Sequence, residues 1–363
     1  MPDTGDRYLV LQFVDAWTDN FAYVGTRATG NGDGTYLLTP PGWDGVVTGG
    51  MTRISFPTPV ASIVGRLGCD GSGDLGAVAE LQQQLTITPL ADGNGAGSGI
   101  PSPDGAVADD LLFFEKLRVW SAAYPPNPDD LGYQQRFAPL ALLEEGDSPY
   151  RTPEPALAEA LAAATVTGKD KLTRVLRAGI GPRVNGWSSA LHTFDYNTNY
   201  FELGTLDEPT WRINDPGRAR LTRSIAALGG LWGNHGYEAA YFLVYDDGDG
   251  NTLNGSHRYE IRFRAAPPCH AFWSLTMYDL PYFYMVANPI DRYSIGDRTP
   301  GLRYGDDGSL ALFLQTGAPS SPDSAANWLP TPAGDFRPIL RIYAPAPSVL
   351  DGSYELPAIT KVD

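Results

Sequence analysis

The chain has 363 residues, 42% of them hydrophobic, and a formal net charge of −16 at neutral pH. Nucleic acids and anionic membranes select basic surfaces, so this charge argues against both as partners. Domains average about 150 residues, and the length therefore predicts two domains with a sizeable core. The 41 Gly and 31 Pro residues are typical of many short elements joined by turns.

The sequence carries no visible signal for a membrane. It contains no apolar run of spanning length, and the opening MPDTGDRYLVLQ lacks the regions of a signal peptide. As written, the chain is predicted to be cytoplasmic, or exported if its true start lies upstream. Cys69 and Cys269 belong to no CxxC or Cys/His cluster, so free thiols are expected, although a disulfide between them stays open.

Residues 1–105 are predicted to form a first β domain with a short helix. RYLVLQFVDAW (7–17) and VASIVGRLG (60–68) are apolar runs typical of strands. GTRATGNGDGTYLLT (25–39) places turn residues between two such runs and predicts a hairpin. GDLGAVAELQQQLTI (73–87) changes to helical periodicity, and the Gly/Ser/Pro-rich stretch 91–105 predicts a linker or long loop that ends the domain.

Residues 106–233 are predicted to form a helical connecting region. Helical periodicity runs through 108–124 and 153–180, and Asn127 before Pro128 is a helix-start signal. The stretch 183–212 is polar, aromatic and irregular. A last helix is expected after residue 213, capped by Asn214 or Asp215.

Residues 234–363 are predicted to form a C-terminal β-sandwich. The chain returns to short apolar runs, including FYMVANP (283–289), separated by DG, NG, PP and DDG turns. Turn signals recur about every 10 to 15 residues, which favours a sandwich or jelly roll over a parallel sheet.

Two blocks of the sequence resemble a known family. They are PDTGDRYLVLQFVDAWTDNFAYVGTRATG (2–30) and a C-terminal block with PPCHAFWSLTMYD (267–279) and NPIDRYSIGDRTPGLRYGDDGSLALFLQ (288–315). Together they look like the bacterial family of unknown function that joins a DUF1254 domain to a DUF1214 domain. The resemblance implies a mainly β fold with an α insertion, in which two jelly-roll or β-sandwich domains are joined by a helical segment. It implies no agreed activity. Similar members have a longer N-terminal part, so the first domain is expected to be shortened here.

Motifs for metals and nucleotides are missing or incomplete. DDGDGN (246–251) is rich in oxygen ligands, but Thr252 and Arg258 stand where an EF-hand needs Gly and Glu, so a hairpin turn is the simpler interpretation. No HxH or HxxxH spacing predicts a His-based metal site. Neither a P-loop nor a GxGxxG motif follows a strand, and we expect neither a metal nor a nucleotide cofactor.

Two histidines are candidate general bases. His192 and His235 flank the last predicted helix in polar, aromatic surroundings. Histidine titrates near neutral pH and is the commonest acid–base residue in enzymes. The alternative is that both are hydrogen-bonded histidines at an interface.

The stretch Phe272 to Arg298 mixes aromatic and charged residues. Strand alternation puts Tyr278 on a polar face that could line a cavity. Tyr278 and Arg292 are therefore catalytic candidates, and Tyr293 and Arg298 are candidates for ligand binding. Arginine recognises carboxylates with two parallel hydrogen bonds, but it can equally order its own loop by pairing with aspartate.

The N-terminal stretch DAWTDNFAYVGTRATG (15–30) is a second candidate for ligand contact. Trp17, Asn20, Tyr23 and Arg27 combine stacking faces with directional hydrogen bonds, as sugars or polar aromatic ligands require. A domain interface needs the same mixture, and the sequence does not separate the two.

These observations predict a protein that acts on a small oxygenated molecule in an interdomain pocket. It would either bind the molecule or catalyse its hydrolysis, elimination or isomerisation by metal-independent acid–base chemistry. The alternative is a non-catalytic carbohydrate-binding or structural protein of the cell envelope. A homo-oligomer is compatible with either, and fold analogy does not decide between them.

Overall fold

A computed structural model describes residues 1–90, 99–181 and 183–362. The fold is mainly β with helical segments, as predicted. The described strands are β1 (Leu9–Asp15), β2 (Asn20–Gly25), β3 (Tyr36–Thr39), β4 (Thr52–Ser55), β5 (Ala61–Leu67), β6 (Arg183–Val184), β7 (Trp187–Ser189), β8 (Ala239–Val244), β9 (Tyr259–Phe263), β10 (Cys269–Asp279), β11 (Ser294–Gly296), β12 (Leu310–Gln315), β13 (Trp328–Pro330), β14 (Phe336–Pro345) and β15 (Ile359–Lys361).

Helices lie between these strands. The described α-helices are α1 (Leu75–Gln84), α2 (Leu112–Ala123), α3 (Leu131–Gln134), α4 (Pro155–Ala178), α5 (Pro216–Gly229), α6 (Pro322–Ala326) and α7 (Pro347–Leu350). Short 3-10 helices cover Ser72–Asp74, Pro128–Asp130, Gln135–Leu140 and Pro209–Trp211. Among these helices, none is long and apolar enough to cross a lipid bilayer.

The first β unit consists of two small sheets. β1 lies between β2 and β5, antiparallel to both. β3 pairs with β4 in parallel, so the predicted hairpin over residues 25–39 is wrong. The hairpin instead joins β1 to β2, because both strands are buried apolar runs separated by a short polar turn. Phe13, Phe21 and Ile54 form the shared core.

The helical region is built on the predicted start signals. Asn127 caps the 3-10 helix that begins at Pro128, and the Asp215 carboxylate accepts the Arg218 N–H at the start of α5. β6 and β7, from the stretch predicted to be irregular, join the large C-terminal sheet. Of the predicted linker 91–105, residues 91–98 lie outside the described residues, and the division of the chain at residues 105 and 233 stays a prediction.

The C-terminal unit is a sandwich of two sheets. One has the strand order β11-β10-β14-β8-β7-β6 and the other β13-β12-β9-β15. On β10, Trp273, Leu275 and Met277 point into the core, where they join buried residues of the opposite sheet. This agrees with the predicted alternation along the strand.

Two segments of this unit, FYMVANP and DDGDGN, form loops. The predicted run FYMVANP is not a strand, since Phe283 has a φ of 61° and Tyr284 and Met285 are exposed. In DDGDGN, the Asp247 carboxylate accepts the N–H groups of Asp249 and Asn251. The latter segment is thus a tight turn, as expected. The described residues hold no group of three or more His, Cys, Asp or Glu suited to a metal ion, and both cysteines are free.

A buried polar network joins the two β units. The Glu238 carboxylate, at the start of the C-terminal unit, accepts the Tyr8 hydroxyl at 3.0 Å and the Arg27 Nε at 2.5 Å. Glu238 is 1% exposed, and Tyr8 is likewise buried. The ion pair therefore lies largely away from water, where an unpaired charge is strongly unfavourable.

Candidate functional site

A cavity of about 780 Å³ lies between the first β unit and the helical region. Its wall includes the turn between β1 and β2, helix α2, the segment 126–143, residues 196–200 and α5. The volume falls in the range of small-molecule pockets, and the wall combines apolar surface with a few polar groups.

The turn between β1 and β2 contributes two buried carboxyl groups to this wall. The Asp15 Oδ1 accepts the backbone N–H of Trp17 at 2.9 Å and of Asp19 at 2.8 Å. Asp15 and Asp19 are 6% and 8% exposed. Thr18 lies between them with a φ of 73°, which a β-branched residue rarely adopts. Such strain is found where the surrounding structure enforces it.

Contacts from other elements hold this turn in place. The Trp120 indole N–H on α2 donates to the Ala16 carbonyl at 3.0 Å, and the Trp17 indole N–H donates to the Tyr124 carbonyl at 2.9 Å. On the other side, the Ala16 N–H donates to the Thr58 hydroxyl at 3.0 Å. The two carboxyl groups are therefore presented by a fixed turn.

Helix α5 brings a cation to the acidic turn. Arg223 donates to the Asp19 carboxylate at 2.7 Å and to the Trp17 carbonyl. The guanidinium also lies 4.4 Å from the centre of the Tyr196 ring, and the Tyr196 hydroxyl donates to the Thr18 carbonyl at 3.0 Å. One charged group thus pairs with Asp19 and leaves Asp15 without a directly bonded cation.

This asymmetry separates the two carboxyl groups electrostatically. Burial, followed by repulsion from Asp19, raises the pKa of Asp15 to about 8. Burial also raises the pKa of Asp19, but the Arg223 charge opposes that rise. Since Asp15 Oδ1 already accepts two N–H groups, Oδ2 is left for the proton. The Asp15 carboxyl group therefore holds its proton much closer to neutral pH than an exposed aspartate does, as carboxyl groups in apolar enzyme sites can.

The opposite wall offers an aromatic surface. The Arg220 guanidinium lies 3.6 Å from the centre of the Tyr133 ring and pairs with Asp130 at 3.0 Å. Phe113 and Phe137 also line the cavity. Aromatic faces favour the flat or apolar part of a ligand, while the acidic turn favours its polar end.

Of the residues predicted to form the site, Trp17 lies on the wall of this cavity. Tyr23, Arg27 and His235 instead form a buried cluster between the two β units. The Tyr23 hydroxyl lies 2.9 Å from His235 Nδ1, and Arg27 lies 4.7 Å from the Tyr237 ring, on which His235 stacks. Burial and the Arg27 charge lower the pKa of His235 to about 3. His235 is therefore neutral at physiological pH.

Asn20 serves the same interface. Its side-chain oxygen accepts the Gln12 amide at 2.8 Å, and its amide donates to the Gly233 carbonyl at 2.9 Å. With both ends engaged and 2% exposure, Asn20 ties β2 to the end of the helical region.

The four candidates from 278–298 lie away from the large cavity. Tyr278 accepts a hydrogen bond from Arg341 at 3.0 Å, Tyr293 approaches Asp291 at 3.5 Å, and Arg298 pairs with Asp70 at 3.1 Å. Arg292 donates to the carbonyl groups of Ala326 and Trp328 at 3.0 and 2.8 Å. These contacts order the loops around β10 and β11, and they do not bring Tyr278, Arg292 and His235 into one group.

Arg292→Met is expected to lower stability without affecting the large cavity. Methionine keeps the apolar stem but leaves two carbonyl groups without a donor, which should reduce the free energy of unfolding by about 1–3 kcal/mol. Chemical unfolding measures the loss, with the surface variant Arg262→Met as control. Unchanged stability would show that the two carbonyl contacts are dispensable.

His192 lies at a separate position, on a second and smaller cavity. Its Nδ1 is 2.6 Å from the Asp195 carboxylate, which is 1% exposed, while the His192 side chain is 47% exposed. The pair has the geometry of an oriented histidine base. His235, Tyr278 and Arg292 line neither this cavity nor the large one.

Most members of the large site were not predicted, among them Asp19, Tyr196, Arg223 and the residues of the aromatic surface. The sequence signal for Asp19 is its place in a polar turn between two apolar strands, four residues after Asp15. No local signal identifies Arg223, which is 204 residues from its partner Asp19. Only packing of α5 against the turn brings them together.

Comparisons with known proteins found two matching families and a solved structure of similar fold. Residues 1–89 match the family described as protein of unknown function (DUF1254). Residues 238–347 match a second family, described as protein of unknown function (DUF1214). The chain is similar in fold to the VPA0106 protein of Vibrio parahaemolyticus, with a TM-score of 0.67 and 22% identity over 100% of this chain and 84% of that one. A putative uncharacterized protein from Burkholderia cenocepacia gives a TM-score of 0.27 and 12% identity over 65% and 49% of the two chains. No curated protein matches the chain.

Proposed function

The chain belongs to the two-domain family of unknown function that joins DUF1254 to DUF1214. Within this family, we propose that the protein is an acid–base enzyme for a small oxygenated molecule bound in the large cavity. The observation that carries this proposal is the buried pair Asp15 and Asp19. Burial raises the pKa of Asp15, and Asp19 is paired with Arg223.

Asp15 acts as the general acid. Its Oδ2–H donates a proton to a substrate oxygen as that oxygen gains negative charge. The Asp15 carboxylate that forms is stabilised by the N–H groups of Trp17 and Asp19, already bonded to Oδ1, and by the nearby Arg223 charge. In hydrolysis, the attacking water gives its hydroxyl group to the substrate and its proton to the Asp15 carboxylate; in elimination or isomerisation, that carboxylate takes the C–H proton that the substrate loses. Protonating a leaving oxygen or a carbonyl oxygen serves hydrolysis, elimination and isomerisation alike, so the class of reaction is hydrolase, lyase or isomerase.

The substrate is expected to carry an apolar or flat part beside its oxygen function. Phe113, Phe137 and Tyr133 supply the matching surface, and Arg220 lies over Tyr133 with its charge paired to Asp130. Because Asp130 balances the charge of Arg220, the cavity favours a neutral or singly charged ligand over a multiply charged one.

A binding screen with blocked variants tests where the ligand lies. Esters, lactones, hydroxy acids and oxo acids are added one at a time, and the shift in melting temperature is recorded. Ser224 is exposed on α5 and lines the cavity, so Ser224→Trp should remove the shift that a ligand gives. Leu221→Trp, on the same helix but not on the cavity wall, is the matched control and should retain it. Equal shifts in both variants would contradict the proposed site.

A further inference from the structure

Tyr200 brings a second phenol hydroxyl to the wall of the large cavity. The hydroxyl of its neighbour Tyr196 is engaged, since it donates to the Thr18 carbonyl at 3.0 Å. Tyr200 is partly exposed, and its hydroxyl makes no hydrogen bond within the part of the chain that the structure describes. The Tyr200 hydroxyl is therefore accessible from the cavity and free to donate to a ligand.

Backbone contacts place Tyr200 beside the acidic turn. The Asn197 side-chain amide donates to the Asn20 carbonyl at 2.9 Å, and the Glu202 N–H donates to the Phe21 carbonyl at 2.9 Å. These two bonds fix the chain on either side of Tyr200 to the start of β2. Because β2 directly follows the turn between β1 and β2, Tyr200 is held next to that turn.

The Tyr200 side chain is also well anchored. The Asn197 Oδ1 accepts the N–H groups of Asn199 and Tyr200 at 3.2 and 3.0 Å, and Asn197 itself is buried. The Tyr200 ring packs against the apolar core of the first β unit, which includes Phe13 and Phe21. A donor held in this way loses little conformational entropy when a ligand binds.

The electrostatics of Tyr200 agree with this placement. Burial, followed by the negative charges of Asp15 and Asp19, raises the pKa of Tyr200. Among the charged groups, Asp15 has the largest effect. The phenol therefore keeps its proton at neutral pH and acts as a donor.

Two O–H donors on one side of the cavity select a carbonyl oxygen. Since Asp15 Oδ1 already accepts two N–H groups, the protonated carboxyl group donates through Oδ2. A carbonyl oxygen has two lone pairs and no hydrogen, so the Asp15 and Tyr200 hydroxyls can satisfy it completely, whereas an alcohol needs an acceptor for its own hydrogen. A tyrosine hydroxyl beside a protonated carboxyl group is an arrangement that enzymes use to stabilise negative charge on such an oxygen.

We propose that Tyr200 is a second catalytic donor at the reacting oxygen, and that the substrate is a carbonyl compound with a flat apolar body. This inference rests on the proposed acid–base function. Tyr200 keeps its proton throughout, and its hydrogen bond strengthens as negative charge develops on the oxygen. The proton that reaches the oxygen comes from Asp15.

Acetophenone and α-methylstyrene form a matched pair of probes, because a methylene group replaces the carbonyl oxygen in the second. Titration by ligand-detected NMR should show that Tyr200→Phe lowers the acetophenone affinity about threefold to tenfold and leaves that of α-methylstyrene unchanged. Infrared difference spectra should also place the carbonyl stretch of bound acetophenone at higher frequency in Tyr200→Phe, because one hydrogen bond to the oxygen is lost. Phenylalanine keeps the ring in the core, so folding is retained.

Tyr36→Phe is the matched control. Tyr36 packs on the same core but does not line the cavity, so its substitution should change neither affinity nor frequency. Ser224→Trp, which obstructs the large cavity, should abolish acetophenone binding. If it does so while Tyr200→Phe behaves like the native protein, the role of Tyr200 is overturned and the acid–base site stands. Acetophenone binding that persists in Ser224→Trp, or no binding to the native protein, would overturn the carbonyl assignment, and persistence would also contradict the large cavity as the site.

Discussion

Asp15→Asn is expected to reduce turnover of the compound accepted by the large cavity by about 100-fold to 10,000-fold. Asparagine is isosteric, and its Oδ1 can still accept the N–H groups of Trp17 and Asp19. What is lost is the proton on Oδ2. Binding should therefore persist while the chemical step fails, which steady-state kinetics separate as a fall in kcat with KM little changed. Turnover equal to that of the native protein would exclude Asp15 as the acid.

The pH dependence of the native protein follows from the same group. An acid must be protonated to act, so kcat/KM should fall as pH rises through about 8, the pKa of buried Asp15. A profile that is flat between pH 6 and 9 would contradict the assignment.

Stability provides a check on Asp15 that needs no substrate. The folded-state pKa of about 8 lies above the ordinary value of 3.8, so the folded protein binds this proton more tightly than the unfolded chain. The resulting stabilisation is fully present below about pH 4 and is lost as pH rises through 8. At about 1.4 kcal/mol for each pH unit, native stability should fall by roughly 3 kcal/mol relative to Asp15→Asn between pH 6 and 9. Urea unfolding at both pH values measures the difference, and parallel curves would show that Asp15 is already ionised at pH 6.

Glu238→Ala is expected to lower the free energy of unfolding by about 3–5 kcal/mol. The substitution leaves the Tyr8 hydroxyl and the Arg27 guanidinium without their shared acceptor between the two β units. Removing one partner of such a pair is costly because the Arg27 side chain, 24% exposed, keeps its charge largely away from water without a carboxylate partner. Chemical unfolding measures the change.

Two comparisons identify the source of that loss. Glu260→Ala breaks a surface pair with Arg262 and should change stability by less than about 1 kcal/mol. The double variant Arg27→Met with Glu238→Ala should recover part of the loss, since no unpaired charge then remains. Additive effects of the two substitutions would mean that Arg27 and Glu238 are not coupled.

Much of the fold could be predicted because it depends on local patterns. The alternation along β10 agrees with the core side of that strand, and the start of α5 was predicted with Asn214 or Asp215 as its cap, of which Asp215 makes the capping hydrogen bond. Prediction failed where pairing is non-local. β3 was assigned to a hairpin but pairs with β4 in parallel, since turn residues indicate that a chain reverses without indicating which strand it joins.

The candidate site was harder to predict because its members are distant in sequence. Residue type made Arg292 and His235 candidates for catalysis. In the structure, Arg292 donates to backbone carbonyl groups and His235 is a buried neutral ring between the two β units. Trp17 was identified through its polar, aromatic neighbourhood. The raised pKa of Asp15 depends on burial and on the charge of Asp19, and the sequence does not show that the two carboxyl groups are buried together.

The sequence by itself determined the mainly β fold, the family and the acidic, aromatic character of the stretch after Asp15. Each of these depends on residue type and on spacing over a few positions. Only the tertiary structure decided which polar groups meet. The packing of α5 and α2 against the turn between β1 and β2 places Arg223 on Asp19, leaves Asp15 without a bonded cation and encloses the cavity beside it. Burial and charge pairing are properties of that packing, and they set the pKa values on which the proposed chemistry depends.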